Sequence, residues 1–140
     1  MNNRQVEQRR GNPLWDHGGE PYAVNLRRAV QMNPNFRTAL WTGEYLQATL
    51  MTIPAGGDIG LERHEELDQM LYIESGMGLL RMGCRKESLQ RPIRVTAGNA
   101  VFVPAGTWHN ISNMGRTPLK LFSVYAPPQH PFGTVEATKR

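Results

Sequence analysis

The sequence predicts an all-β fold built from short antiparallel strands. Fourteen glycines and ten prolines divide the 140 residues into short segments, and this pattern favours many turns over long helices. Between the turns lie runs rich in β-branched and aromatic residues, such as residues 100–103, that suit a half-buried strand. About eight to ten such runs predict a sandwich or a barrel, and the pattern alone does not choose between the two.

Residues 1–20 are expected to form a flexible N-terminal arm, followed by one domain over residues 21–140. The arm is polar and lacks hydrophobic periodicity, and Gly11 and Pro13 would break a helix within it. Trp15 is the one side chain of the arm that needs burial, which suggests contact with another subunit. The first ten residues contain no apolar run, so they predict no secretory signal.

The expected strands follow in order along the domain. A first strand is expected within residues 22–30, and the cluster Asn33-Pro34-Asn35 then makes a turn. Glycine, proline and asparagine separate the later runs. These later strands are predicted at residues 36–41, 45–53, 69–75, 79–82, 93–96, 100–103, 109–113 and 119–125.

Composition excludes several classes of partner. The net charge is +4, but the basic residues occur as scattered pairs such as Arg85-Lys86 rather than as a stripe with aromatic residues, so no nucleic-acid partner is expected. No apolar run is long enough to span a membrane. Cys84 is the only cysteine, which rules out an intrachain disulfide and suits a reducing cytoplasm.

The most informative stretch covers residues 98–113. Pro104 cannot donate to a strand ladder and Gly106 can adopt a positive φ, so a tight turn is expected after the strand at residues 100–103. His109 begins the returning strand, where a rigid turn can hold its imidazole toward the sheet interior as a metal ligand. The spacing is Gly98-x5-Pro104-x-Gly106-x2-His109-x3-Asn113.

This spacing resembles the second conserved motif of the cupin superfamily at every fixed position, and in that family the histidine is a metal ligand. The first motif of the family has the pattern G-x5-H-x-H-x3-4-E-x6-G. An upstream stretch keeps this spacing but changes two chemical positions, because Glu62 replaces the first histidine and Gln69 replaces the glutamate. The stretch reads Gly56-x5-Glu62-x-His64-x4-Gln69-x6-Gly76.

The resemblance implies an all-β, single-domain jelly-roll barrel, a double-stranded β-helix, with a divalent metal in its mouth. It implies Glu62, His64, Gln69 and His109 as the ligands. The usual cupin set of three histidines and one glutamate carries one negative charge, and this set also carries one. Nitrogen and oxygen ligands without thiolate suit Fe, Mn, Ni, Co or Zn. Glu62, His64 and His109 also resemble the two-histidine, one-carboxylate set of non-haem iron oxygenases.

Three functions are open at this stage. A small bacterial-type cupin of this kind could bind a small oxygenated molecule on its metal and catalyse dioxygenase-, isomerase- or decarboxylase-like chemistry. It could instead be a non-catalytic binding or sensor module, or a structural dimer whose degenerate site binds nothing. Fold does not fix function, so no catalytic residue is assigned.

Further expectations concern assembly and the residues around the site. Small cupins commonly pair, so a homodimer is expected, with Trp15 and residues 36–41 at the interface. Asp68 is a candidate partner for a histidine N–H. His130 has no ligand spacing and could fold over the mouth of the barrel, but a surface-loop residue is the favoured interpretation.

Overall fold

A computed structural model of the chain describes residues 14–139. Within this range the chain forms one helix and nine strands arranged in two antiparallel sheets, so the predicted all-β fold is confirmed. The larger sheet has the strand order β6-β3-β8-β2-β1-β9, and the smaller has the order β5-β4-β7. The strands are β1 (Arg37–Thr42), β2 (Gln47–Ile53), β3 (Asp68–Ser75), β4 (Met77–Gly83), β5 (Ile93–Thr96), β6 (Ala100–Val103), β7 (Trp108–Asn113), β8 (Leu119–Ala126) and β9 (Val135–Glu136).

The strand expected within residues 22–30 is wrong, because helix α1 (Leu26–Met32) occupies this part of the chain. Leu26, Ala29 and Val30 recur at helical spacing and give the helix one apolar face. The side chain of Asn25 accepts a hydrogen bond from Arg28 N at 3.0 Å and caps the helix. The sequence reading also missed β9, whose two residues are too few to show a pattern.

The two sheets pack face to face and enclose one interior. Alternate residues of β7 and β8 are buried, as a strand with one covered face requires. At one end the interior is apolar and draws on both sheets. The buried members of this apolar end are Phe36, Met51, Ile53, Ile59, Leu71, Ile73, Leu80, Val95, Val101, Val103, Ile111, Leu119 and Leu121.

The other end of the same interior is polar. Strand register aligns Gln69 with Tyr125 and Tyr125 with Gln47, and it aligns Ser123 with Thr49. All five of these side chains are buried. The barrel therefore has an apolar end and a polar end, and the candidate ligands lie at the polar one.

A second, smaller cluster lies on the outer face of the large sheet. Leu14, Ala29 and Val30 pack there against Leu40 and Leu50. Of the expected arm, residues 1–13 lie outside the described range, and the chain contacts the barrel from Leu14 onward.

The expected interface stretch at residues 36–41 is largely covered within the single chain. Residues 36–40 are buried, and Trp41 is half-buried and donates a hydrogen bond from Nε1 to Glu20 O at 2.7 Å. Within the described part of the chain, no helix has the length and apolar character to cross a lipid bilayer.

Candidate metal centre

Backbone hydrogen bonds bring the two sequence motifs together. Glu62 N donates to His109 O, and His109 N donates to Glu62 O, both at 2.9 Å. Gly106, at φ 83°, donates from its N–H to His64 O at 2.7 Å. A side chain is disfavoured at that φ, which explains a glycine in the turn. The loop that carries Glu62 and His64 is thereby fixed against the start of β7.

The three charged or imidazole side chains converge as predicted. Each of Glu62, His64 and His109 offers a ligand atom, and these atoms lie within 4.8 Å of one another. His64 Nε2 is 3.3 Å from Glu62 Oε2, and the two imidazole centroids are 5.4 Å apart. Glu62 and His64 lie two residues apart on extended backbone, so both side chains point the same way.

His109 is held in one orientation by its own turn. Its side chain is fully buried, and its Nδ1 lies 3.1 Å from Thr107 O. A carbonyl oxygen can only accept, so Nδ1 carries the proton and Nε2 of the neutral ring keeps a free lone pair. Asp68 does not take this role, because its Oδ1 accepts from Ala105 N at 3.0 Å and braces the turn instead.

Gln69 lies on the inner face of β3 beside this group. Its Nε2 donates to Ser123 Oγ at 2.8 Å. Its Oε1 is buried and accepts no hydrogen bond from any described residue. Ser123 therefore orients the amide so that an oxygen, which is the atom able to ligate a cation, stays unpaired.

Burial and neighbouring charges act in opposite directions on the site. Burial works to raise the pKa of the Glu62 carboxyl, but His64, Arg37 and His109 together hold that pKa below its ordinary value. Burial lowers the pKa of His109, against the opposing effects of Thr107 O and Glu62. At neutral pH the site therefore presents one carboxylate and a neutral His109, the forms in which these groups bind metals.

The donor set fits a divalent ion. The Nε2 of His109 and the Oε1 of Gln69 are buried and make no hydrogen bond within residues 14–139, whereas His64 Nε2 faces Glu62 Oε2 at 3.3 Å. All three are lone-pair atoms if His64 carries its proton on Nδ1, so an ion would satisfy what the chain leaves unpaired. Two ligands at about 2.1 Å from one ion lie at most about 4.2 Å apart, so the observed group is only slightly wider than a bound one.

Sequence reasoning missed three residues at this end of the barrel. Arg37 of β1 is buried, with 5% of its surface exposed. Tyr125 is buried on β8, and its ring stands edge-on to that of His64, 5.9 Å between centroids. His130, expected in a surface loop, is half-buried with Nε2 3.4 Å from Tyr125 Oη. Placing Arg37 and Tyr125 on the inner face required the strand register, which no motif supplies.

Hydrogen bonds hold the segment that carries His130 in place. Gln47 Oε1 accepts from the backbone N–H groups of Gln129 and His130, and Gln47 Nε2 donates to His130 O at 2.8 Å. Asp16 Oδ2 accepts from Gly133 N at 3.0 Å and from the Thr42 hydroxyl. The segment is therefore fixed to the barrel and forms part of the site.

The site can be reached from outside. A cavity of about 350 Å³ lies beside His64, between the loop that follows it and the segment after β8. The side chain of Glu62 is 32% exposed and that of His64 12% exposed. A larger cavity of about 510 Å³ lies elsewhere, around Phe36 and Lys139, and none of the candidate ligands lines it.

Comparisons with known proteins agree with this architecture. The sequence model of the cupin domain family matches residues 49–125. The Bacillus subtilis protein YrkC is 55% identical over 126 residues, which cover 90% of this chain and 68% of the relative. The crystal structure of BH2720 from Bacillus halodurans superposes with a TM-score of 0.88 at 53% identity, covering 89% of this chain and 95% of that one.

A more distant relative has a name that states a ligand. The oxalate-binding protein of Thermotoga maritima is 30% identical over 74 residues, which cover 53% of this chain and 56% of the relative.

Proposed function

The chain belongs to the cupin family, and from that premise we propose that it binds a divalent metal ion through Glu62, His64, Gln69 and His109 and holds a small oxygenated molecule on that ion. The observation that carries the proposal is the convergence of Glu62, His64 and His109 at one end of the barrel, with the Nε2 atom of His109 left unpaired within the described residues. A structural histidine in a core would normally have a partner for this atom.

The metal would be Fe, Mn, Ni, Co or Zn, since these suit mixed nitrogen and oxygen ligands. Such an ion acts as a Lewis acid and polarises an oxygen atom bound to it. The four protein ligands leave coordination positions open on a six-coordinate ion, and the nearby cavity gives a small molecule a route to them. The relative named as oxalate-binding makes a small organic acid a reasonable choice of ligand.

Dioxygenase-, isomerase- or decarboxylase-like chemistry would also use polar groups beside the metal, and Tyr125 and His130 lie there. Burial raises the pKa of the Tyr125 hydroxyl, while burial and the charge of Arg37 lower the pKa of His130 to about 4. At neutral pH Tyr125 is therefore protonated and His130 is neutral, so the pair can exchange hydrogen bonds with a ligand on the metal, while neither pKa lies near neutrality, where a general acid or base works best. This pair gives the pocket polar contacts for a bound molecule, and a non-catalytic binding module is the second candidate.

Elemental analysis tests the metal proposal directly. We expect untagged protein, purified without chelator, to contain near-stoichiometric Fe, Mn, Ni, Co or Zn. The His109→Ala variant should lose it, because His109 is the buried ligand whose orientation is fixed. His17→Ala is the matched control, since it removes an imidazole that stacks on Tyr22 outside the group. A site that stays empty in all three proteins after reconstitution would leave the degenerate-dimer reading.

We propose further that the protein is a homodimer, as cupins of this size often are. Strand register aligns five apolar side chains across the outer face of the large sheet, and Phe102 at one end of the row is 73% exposed. A second copy would remove this surface from water. The row consists of Phe102, Met70, Val124, Ala48 and Trp41.

Light scattering at micromolar concentration checks the dimer. The wild-type chain should have twice the monomer mass, and Phe102→Lys should shift the population toward monomer with its circular dichroism unchanged. A monomeric wild-type protein would contradict the proposal. The cytoplasmic location suggested by the free, exposed Cys84 stays a prediction.

A further inference from the structure

The unpaired polar atoms at the polar end of the barrel fall into two chemical groups. On the metal side they are lone-pair acceptors, which suit a cation. Across the interior, on strands β1 and β2, the group consists of Arg37 Nε, which is buried and makes no hydrogen bond to any residue in the described range, and of the buried Thr49 hydroxyl, which lies beside the Tyr125 hydroxyl. A guanidinium N–H can only donate and a hydroxyl can donate, so this second group suits an anion.

Strand register places the two donors in one patch. Arg37 pairs with Met51 and Ala39 pairs with Thr49, so Arg37 and Thr49 are diagonal neighbours on the inner face. Diagonal neighbours lie about 7–8 Å apart, within reach of a side chain as long as arginine. Thr49 in turn pairs with Ser123. The hydroxyls of Ser123 and Thr49 both lie close enough to the Tyr125 hydroxyl to lower its pKa by hydrogen bonding, against the opposing effect of burial.

The positive charge of Arg37 also acts on the candidate metal ligands. Its charge helps to lower the pKa of the Glu62 carboxyl and acts on Tyr125 and His130 as well. The guanidinium is therefore within electrostatic range of the ligand cluster while its Nε remains free for another partner.

We propose that Arg37 and Thr49 form an anion subsite that binds the carboxylate of a small organic acid whose other oxygen rests on the metal. This inference rests on the proposed metal site and adds the half of the pocket that selects the ligand. Tyr125 borders the subsite through its hydroxyl.

The charges of the surrounding groups agree with a carboxylate ligand. Arg37 Nη1 lies 2.6 Å from Glu136 Oε1 of β9, so Glu136 neutralises one positive charge. Glu62 neutralises half the charge of a divalent ion. The groups whose charges act on His130 are Arg37, Glu62, Glu136 and His64. When a divalent ion is added to these groups, its two charges and that of Arg37 exceed the two carboxylate charges by one, since a metal-bound His64 is neutral. A monoanionic acid would balance it, whereas a neutral molecule would not.

A purely structural ion pair between Arg37 and Glu136 explains fewer of the Arg37 donors than the anion subsite does. Such a pair would explain Nη1, but it leaves the Nε donor buried and unpaired at a cost that a fully bonded pair avoids. Glu136 also belongs to a two-residue strand at the sheet edge. The pair positions and partly neutralises Arg37 without using all its donors.

Calorimetric titration of the metal-loaded, untagged protein tests the subsite. The probes are glycolate and 3-hydroxypropanoate, each compared with its neutral amide. A hydrogen bond to a charged group contributes a factor of about ten or more to affinity. The wild-type protein should therefore bind whichever of the two acids has the higher affinity at least about tenfold more tightly than the corresponding amide. The variant Glu136→Gln frees Arg37 from its neutralising partner and should increase that preference.

The double variant Arg37→Gln/Glu136→Gln removes both charges together, so that no buried charge is left unpaired. It should keep its metal by elemental analysis and lose most of the preference for acid over amide. Simple chelation by the metal would give the same preference in wild type and double variant, and this result would overturn the subsite while leaving the metal site intact.

A second variant covers the case in which the double variant does not fold. Thr49→Val keeps the shape of the side chain and removes only the hydroxyl, so it should weaken acid binding several-fold with amide binding unchanged. An unchanged preference in both Thr49→Val and Glu136→Gln would also overturn the subsite. A wild-type protein that holds no metal would remove the proposed function, and this inference with it, and elemental analysis distinguishes that failure from the others.

Discussion

The two ends of the barrel interior are built from the same strands and differ in chemistry. Four residues of β8 face the interior, and along the strand the apolar Leu119 and Leu121 are followed by Ser123 and Tyr125. Antiparallel register carries the change across neighbouring strands, because Met51 pairs with Leu121 whereas Thr49 pairs with Ser123. One end is thus a closed hydrophobic core and the other a lined pocket.

This difference separates the part of the interior that holds the fold from the part that is available for function. At the apolar end every contact contributes to stability through burial. At the polar end each buried donor or acceptor without a partner costs about 1–3 kcal/mol. Folding alone gives no reason to keep such atoms, whereas a bound ion and its ligand would satisfy them. We propose that the polar end is where the barrel gives up stability in order to bind an ion and its ligand.

The largest expected effect on stability comes from the apolar end. Leu121→Ala should lower the free energy of unfolding by about 2–5 kcal/mol, since it deletes a fully buried side chain and leaves a cavity. Ser123→Ala, two residues along the same strand, should cost only about 1 kcal/mol through the hydrogen bond from Gln69. Urea denaturation of the metal-free proteins measures both values.

The metal content of the variants tests the same division of the interior. Leu121→Ala should retain the metal wherever it remains folded, because Leu121 lies on the apolar side of the interior. Equal stability losses in the two variants would contradict the division of the interior into a core end and a pocket end.

Much of this arrangement follows from the sequence. The resemblance to the cupin motifs predicted the convergence of Glu62, His64 and His109. The spacing around His109 and the alternation of Glu62 with His64 predicted their strand or loop setting. Local chemistry carries that information, because a turn needs its proline and glycine, and extended backbone sends alternate side chains to one face. The all-β class followed from the same turn and strand signals, whereas the barrel followed from the family resemblance.

The remaining features depend on pairings between distant parts of the chain. Arg37 joins the pocket only because β1 pairs with β2 and β9, and His130 joins it because Gln47, 83 positions earlier, holds its backbone. The helix at Leu26 was missed for a different reason, since a seven-residue element with four apolar residues is ambiguous between helix and strand. No local pattern contains such long-range or short-element information.

The smallest expected effect concerns pH and sharpens the comparison further, because only the polar end titrates. Burial first, and then the charge of Arg37, lower the pKa of His130 to about 4, whereas an unfolded histidine has a pKa of about 6.5. Between these values the unfolded chain binds more protons than the folded one, so the metal-free protein should lose stability as the pH falls from about 6.5 to about 4.

Because His130 is only half-buried, solvent screening should reduce the loss assigned to it to about 1 kcal/mol or less. Denaturant midpoints measured between pH 7 and pH 4 for wild type and His130→Gln would isolate it as the difference between the two curves. Leu121→Ala should instead give a curve parallel to that of wild type, because it changes no group that titrates. If His130→Gln also ran parallel to wild type, His130 would titrate as an exposed residue does, and the segment after β8 would not be closed over the pocket in solution.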